Sequence, residues 1–144
     1  EHHGSEQHGK RTPMLPFKTL SQLTAFIASA LFVVLLAVPE LLFFIFAVDG
    51  NAEAYFFGRR AAMLFLGFAV LAWAGRNAAL SQSRQAVCLA ISVSMLAMAG
   101  LGVAEYLRGF AGAGIALAVL TEGLLAYLYF SSWWAGRNEV MPQQ

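Results

Sequence analysis

The run LSQLTAFIASALFVVLLAVPELLFFIFAV, residues Leu20–Val48, decides the fold, because it carries only one charged side chain, Glu40. A helix needs about 20 apolar residues to cross the hydrocarbon core of a bilayer, and this run is longer. Three similar runs follow at about 54–75, 86–107 and 113–134. Strands of a membrane barrel would be about half as long, so the four runs predict membrane-spanning helices.

The composition favours a lipid environment and excludes several function classes. Charged residues make up 12% of the 144-residue chain, about half the share usual in soluble domains. A net charge of +1 without a basic face gives no basis for a nucleic-acid partner. The single cysteine, Cys88, excludes an intrachain disulfide and a cysteine-rich zinc site. No catalytic, metal or cofactor motif is present, so we predict no catalytic residue, metal or cofactor, and an enzyme is the weaker class.

The connections between the four runs are short, which predicts antiparallel neighbours and an up-down-up-down four-helix bundle over residues 19–136. Residues 1–18 are predicted to be a disordered tail, whose HHGS is typical of an affinity-tag remnant. Residues 137–144 form a second short tail. Lysine and arginine favour the side that holds both tails by six to three, which predicts cytoplasmic termini.

Two adjacent arginines, Arg59 and Arg60, interrupt the second apolar run in YFFGRRAAMLFLG. A helix that starts near Ala52 would place them roughly 10–12 Å inside it. A helix that starts at Gly58 would be at the short end for a membrane span. We therefore expect both arginines within the outer leaflet, with one reaching outward to water and the other pointing into the bundle.

Three glutamates fall on the same side of the predicted topology as these arginines. Charged side chains within spans usually face a partner or a wet cavity, so a shared depth indicates a common site. Glu122 lies deepest and has the strongest case for a buried partner. The predicted ligand-binding site or buried ionic network consists of Glu40, Arg59, Arg60, Glu105 and Glu122.

Local patterns refine this site. Pro39 cannot donate a backbone hydrogen bond to Leu35, so the first helix should kink there. The freed carbonyl and Glu40, with Thr121 as a further candidate, are predicted to line one polar pocket. The helical spacing of Ala118, Glu122, Leu125 and Tyr129 predicts one inward-facing surface on the last helix.

The sequence is compatible with several functions. The charged cluster either encloses a ligand or only fixes how the helices pack, and Glu105 and Arg108, three residues apart, can also pair locally. The first hypothesis is a non-enzymatic membrane protein that binds a small amphipathic ligand, of lipid or quinone type, or a membrane partner. The alternatives are a proton-coupled transporter acting as a homodimer, with Glu122 or Glu40 as the carrier, and an accessory subunit of a larger membrane complex.

The stretch FFGRRAAMLFLGFAVLAWAGRNA, followed by a third helix with an acidic end and RGFAG, resembles small four-helix bacterial membrane proteins, broadly the DoxX-like group. The resemblance covers about Leu20 to Trp134. It implies a bacterial inner-membrane protein in contact with lipid, and it supplies no mechanism. Glu40 is also similar to the membrane carboxylate in helix one of the small multidrug-resistance transporters, but it lies late in its helix and near arginines.

Overall fold

The computed structural model describes residues 15–140, and over that range it is helical without strands. Its five helices are α1 (Phe17–Ala37), α2 (Pro39–Phe46), α3 (Ala52–Gly75), α4 (Gln82–Leu107) and α5 (Ile115–Val140). Helices α1, α3 and α4 and most of α5 are long and apolar enough to cross a bilayer, as predicted for a multi-pass membrane protein. The outer parts of the two predicted tails, residues 1–14 and 141–144, lie outside the described residues.

The first apolar run forms two helices because Pro39 interrupts it. Val38 leaves the helical region with φ −142° and ψ 64°, and Pro39 begins α2. The Val38 N–H donates to the Val34 carbonyl at 2.8 Å and closes α1. Proline lacks an N–H and its ring crowds the preceding turn, so the chain restarts instead of continuing. The predicted kink is confirmed, and it is a complete break.

Polar capping residues set where the next two helices begin. The Asn51 side chain accepts from the Ala54 N–H at 2.8 Å, so α3 begins at Ala52. The Ser81 hydroxyl accepts from the Arg84 N–H at 3.3 Å, so α4 begins four residues before the predicted start at 86. Hydropathy locates apolar runs, whereas a cap starts the helix in the polar residues before them.

The helices pack as two groups. The first helix group consists of α1, α2 and α3, with α1 lying along α3, and the second helix group consists of α4 and α5. The two groups meet through α1 and α5, whereas α3 and α4 scarcely touch. This arrangement leaves space between the groups.

A buried cluster joins the two helix groups at one end of this space. The Tyr129 hydroxyl on α5 donates to Thr24 Oγ1 on α1 at 2.9 Å, and Thr24 in turn donates to the Leu20 carbonyl at 3.0 Å. Within the second group, Ser92 donates to the Ala126 carbonyl at 2.8 Å. The apolar members of this cluster are Phe17, Leu20, Cys88, Ile91, Leu125, Leu128 and Tyr129.

The end of α2 and the loop before α5 join the groups at the other end. The Gly112 N–H donates to the Phe46 carbonyl at 2.7 Å. A Cβ added to Gly114 would overlap the Ile45 carbonyl, so only glycine permits this close approach of two backbones. Ala47, with φ 50°, ends α2 at the same place.

The outer surface of the spanning helices is apolar. Only 17–33% of each apolar window is buried inside the molecule. In water such a surface would drive aggregation, whereas acyl chains of lipid can cover it. The outward-facing apolar side chains therefore support a membrane location independently of helix length.

Candidate functional site

A cavity of about 650 Å³ lies between the two helix groups. All five helices contribute to its wall, for example through Leu35 of α1, Phe43 of α2, Phe68 of α3, Met95 of α4 and Leu125 of α5. Thr24, which accepts the hydrogen bond from Tyr129, and Phe46, at the end of α2, both lie on its wall. The gap between α3 and α4 explains why the interior is not closed by packing.

Three polar side chains, Thr24, Thr121 and Glu122, line this cavity among the described residues, and the rest of its wall is apolar. The hydroxyl hydrogens of both threonines are already used, because Thr24 donates to the Leu20 carbonyl and Thr121 to the Leu117 carbonyl at 2.8 Å. Glu122 is half-buried, and over residues 15–140 it has neither an ion-pair partner nor a hydrogen-bond partner. Its carboxylate is therefore the group available to a ligand.

Helix α5 presents Glu122 to the cavity through its helical spacing. Ala118, Glu122 and Leu125 all line the cavity, and Tyr129 continues the same face with 1% exposure. Residues three or four apart share one side of a helix, so one face of α5 supplies both the buried contact and the carboxylate. The predicted inward-facing surface is confirmed.

Glu40 lies outside this cavity. It occupies the first turn of α2 on the exposed side, whereas the neighbouring Pro39 is buried. Thr121 lines the cavity and Glu40 does not. The predicted pocket around the proline break therefore contains Thr121 without the Glu40 carboxylate.

Arg59 and Arg60 lie inside α3, seven and eight residues after its first residue, Ala52, as predicted. A Cβ at the adjacent Gly58 would lie 3.7 Å from Pro39, which puts the arginines level with the α1–α2 break. Both arginines are exposed, and the Arg60 guanidinium lies 5.8 Å from the centroid of the Phe56 ring.

The expectation that one arginine points into the bundle is not met. Gly58 packs beside α1 and Ala62 is fully buried, so these two small residues occupy the inward face of α3. Side chains one and two positions after Gly58 are rotated by about 100° and 200° around the helix, away from α1. Close packing of α1 and α3 therefore turns Arg59 and Arg60 outward.

Glu105 pairs locally. Its carboxylate lies 3.1 Å from the Arg108 guanidinium at the end of α4, and this is the only ion pair within residues 15–140. The Arg108 side chain is 65% exposed, and its guanidinium also lies over Phe110. Of the five predicted site residues, the structure places only Glu122 on the cavity. A joint role of all five in ligand binding stays a prediction.

Sequence reasoning predicted a polar pocket near Pro39, but not a large, mostly apolar cavity or the aromatic and methionine side chains around it. No sequence property distinguishes Phe65, Phe68 and Met95 from side chains that fill a core.

A second, smaller cavity of about 150 Å³ lies near the start of α1, where the Arg84 guanidinium stacks 4.0 Å from the Phe17 ring centroid. Across residues 15–140, no three His, Cys, Asp or Glu side chains are grouped to hold a metal ion.

Comparisons with protein-family models, curated proteins and solved structures find no match to this chain. The resemblance to the DoxX-like group therefore stays a prediction from the residues quoted above.

Proposed function

We propose that this chain is a non-enzymatic, multi-pass membrane protein whose central cavity binds a small amphipathic ligand. The observation that carries the proposal is the Glu122 carboxylate in an otherwise apolar cavity of about 650 Å³. Small-molecule sites are typically ~300–1,000 Å³, mostly apolar and supplied with a few polar groups that fix orientation. This cavity has each of these properties.

The energetic cost of the carboxylate supports a binding role. A charged side chain within a span is costly, up to about 2.5–3.5 kcal/mol at the middle of the membrane on insertion scales, and usually faces a pathway or a partner. Because Glu122 has no partner among the described residues, a polar group of the ligand would offset this cost. The apolar part of the ligand would lie against side chains such as Phe68 and Met95.

We further propose that the four spanning helices follow an up-down-up-down path through a bacterial inner membrane with both termini in the cytoplasm. The six-to-three excess of lysine and arginine supports this orientation. The guanidinium of Arg76 lies 4.2 Å from the Trp73 ring centroid, and that of Arg137 lies 3.6 Å from the Trp134 centroid. Paired arginine and tryptophan side chains are typical of a membrane–water interface, and here they occur near the ends of α3 and α5.

A pair of variants tests the ligand proposal. Ala118→Phe would fill the cavity, whereas Ala116→Phe adds the same ring to the exposed side of α5. The proteins are purified in lipid nanodiscs, and extracts are analysed by mass spectrometry. We expect an amphiphile at fixed stoichiometry in the unsubstituted protein and in Ala116→Phe, and none in Ala118→Phe. Equal retention by both variants would refute the proposal. Co-purification of a second membrane protein at fixed stoichiometry, with no amphiphile, would favour the accessory subunit instead.

The position of Glu122 also favours a second candidate, a proton-coupled transporter. Glu122 is the only acidic side chain that lines the cavity among the described residues, so a proton and a ligand would compete for it. In this case, ligand binding to the reconstituted protein in weakly buffered medium should release protons, and Glu122→Gln should abolish the release. Binding without any proton release would exclude this mechanism.

A further inference from the structure

The charge distribution around the cavity points to one class of ligand. Among the described residues, Glu122 is the only charged side chain on the cavity wall. Arg59 and Arg60 are exposed on the outside of α3, and Arg108 is paired with Glu105 at the end of α4. Within residues 15–140, the negative charge of Glu122 therefore has no positive counterpart on the cavity wall.

The hydrogen-bonding groups of the wall lead to the same conclusion. Both cavity threonines donate their hydroxyl hydrogens to backbone carbonyls of their own helix, Thr24 to Leu20 and Thr121 to Leu117. A carboxylate accepts and does not donate. An anionic headgroup or a quinone carbonyl would thus find no free side-chain donor on the described part of the wall, whereas a cationic headgroup would meet an acceptor that carries a full charge.

We propose that the ligand of this cavity is a cationic amphiphile, with its positively charged head at Glu122 and its apolar chain along the wall formed by both helix groups. This inference rests on the proposed function, because it specifies the ligand of the same cavity. An ion pair in an apolar cavity requires that both partners lose water. Because Glu122 is the only charged side chain on the described wall, it would determine which head group binds.

Three amphiphiles with the same ten-carbon chain test the inference: decyltrimethylammonium, decanol and decyl sulfate. The protein is reconstituted in nanodiscs of zwitterionic phosphatidylcholine, and binding is measured by isothermal titration calorimetry with empty nanodiscs subtracted. We expect decyltrimethylammonium to bind about 10- to 100-fold more tightly than decanol, the range for one interaction with a charged group, and decyl sulfate to bind most weakly.

Two matched variants assign the preference to Glu122. Glu122→Gln keeps the side-chain size and removes the charge, so it should reduce the affinity for the cation to that for decanol. Glu53→Gln makes the same change on the exposed first turn of α3 and should leave the preference intact. A preference that survives Glu122→Gln, or that Glu53→Gln also removes, would overturn the inference.

The outcomes separate this inference from the proposed function. If all three probes bind equally and Ala118→Phe abolishes their binding, the cavity is a ligand site and the cationic class is wrong. Tighter binding of decyl sulfate or decanol than of the cation would also show that the cationic class is wrong. If no probe binds above the empty-nanodisc background, both the proposed function and the inference fail.

Discussion

The hydrogen bond between Tyr129 and Thr24 is the most directly testable contact between the two helix groups. The Tyr129 hydroxyl donates to Thr24 Oγ1 at 2.9 Å, with the two residues 1% and 6% exposed. Tyr129→Phe removes this bond and leaves the ring that fills the core. The variant therefore measures the polar contact across the boundary without creating a large void.

The expected loss follows from what remains after the substitution. A neutral hydrogen bond contributes about 0.5–1.5 kcal/mol net, and bonds between membrane helices average about 0.6 kcal/mol. Thr24 still donates to the Leu20 carbonyl, so its buried hydroxyl keeps a hydrogen-bond partner. We expect Tyr129→Phe to lower the free energy of unfolding by about 0.5–1 kcal/mol, within these ranges. Thr24→Val should cost more, about 1–3 kcal/mol, because it leaves the buried Tyr129 hydroxyl without this acceptor.

The assay is reversible unfolding of the reconstituted protein by denaturing detergent, followed by tryptophan fluorescence. Tyr127→Phe is the matched control, because Tyr127 lies on the same helix and is 56% exposed. A double-mutant cycle of Tyr129→Phe with Thr24→Val isolates the pairwise energy. The reasoning is refuted if Tyr129→Phe differs from Tyr127→Phe by less than about 0.3 kcal/mol, the usual limit of additivity.

Three further predictions concern stability and binding. Gly114→Ala should destabilise the protein by about 1–3 kcal/mol in the same unfolding assay, because the added Cβ would overlap the backbone of α2. Gly123→Ala is the control: it has open space around it and should be neutral or stabilising. Asn51→Ala should cost about 1 kcal/mol by removing the cap of α3, and Asn51→Asp should restore most of that stability. Arg59 and Arg60 lie outside the cavity, so replacing both by glutamine should change the affinity for decyltrimethylammonium, measured by calorimetry, by less than about threefold. A loss of affinity above about tenfold would instead support the five-residue network.

The spanning helices and the break at Pro39 were predictable because they depend on local properties. Apolar length determines whether a segment can cross a bilayer, and proline acts on the turn directly before it. The inward face of α5 was also predictable, since Ala118, Glu122, Leu125 and Tyr129 follow helical spacing. In each case the sequence within a single segment contains the necessary information.

The size and the apolar wall of the cavity were not predictable, because they depend on how far apart separate helices lie. The close contact of Gly114 with Ile45 fixes one end of α2 against the second helix group, and the Tyr129 contact fixes the other end of the space. A Cβ added to Gly67 would have nothing within 4 Å, whereas one added to Gly58, on the same helix, would contact Leu35 of α1. A glycine in an apolar run does not reveal which of these roles it has.

Arg59, Arg60 and Glu122 show why charge within a span has two different physical outcomes. The arginines have long side chains and lie near one end of α3, so they can extend from the outer face of the helix to lipid headgroups. Glu122 is as far from the start of α5 as Arg59 is from the start of α3, but its side chain is shorter and faces the space between the helix groups, so it cannot use the same route. We therefore expect the arginines to help position α3 in the bilayer, whereas Glu122 is the only charged side chain on the cavity wall among the described residues. Because the described wall holds one carboxylate and no free hydrogen-bond donor, we expect the cavity to select against anions independently of the residues outside it.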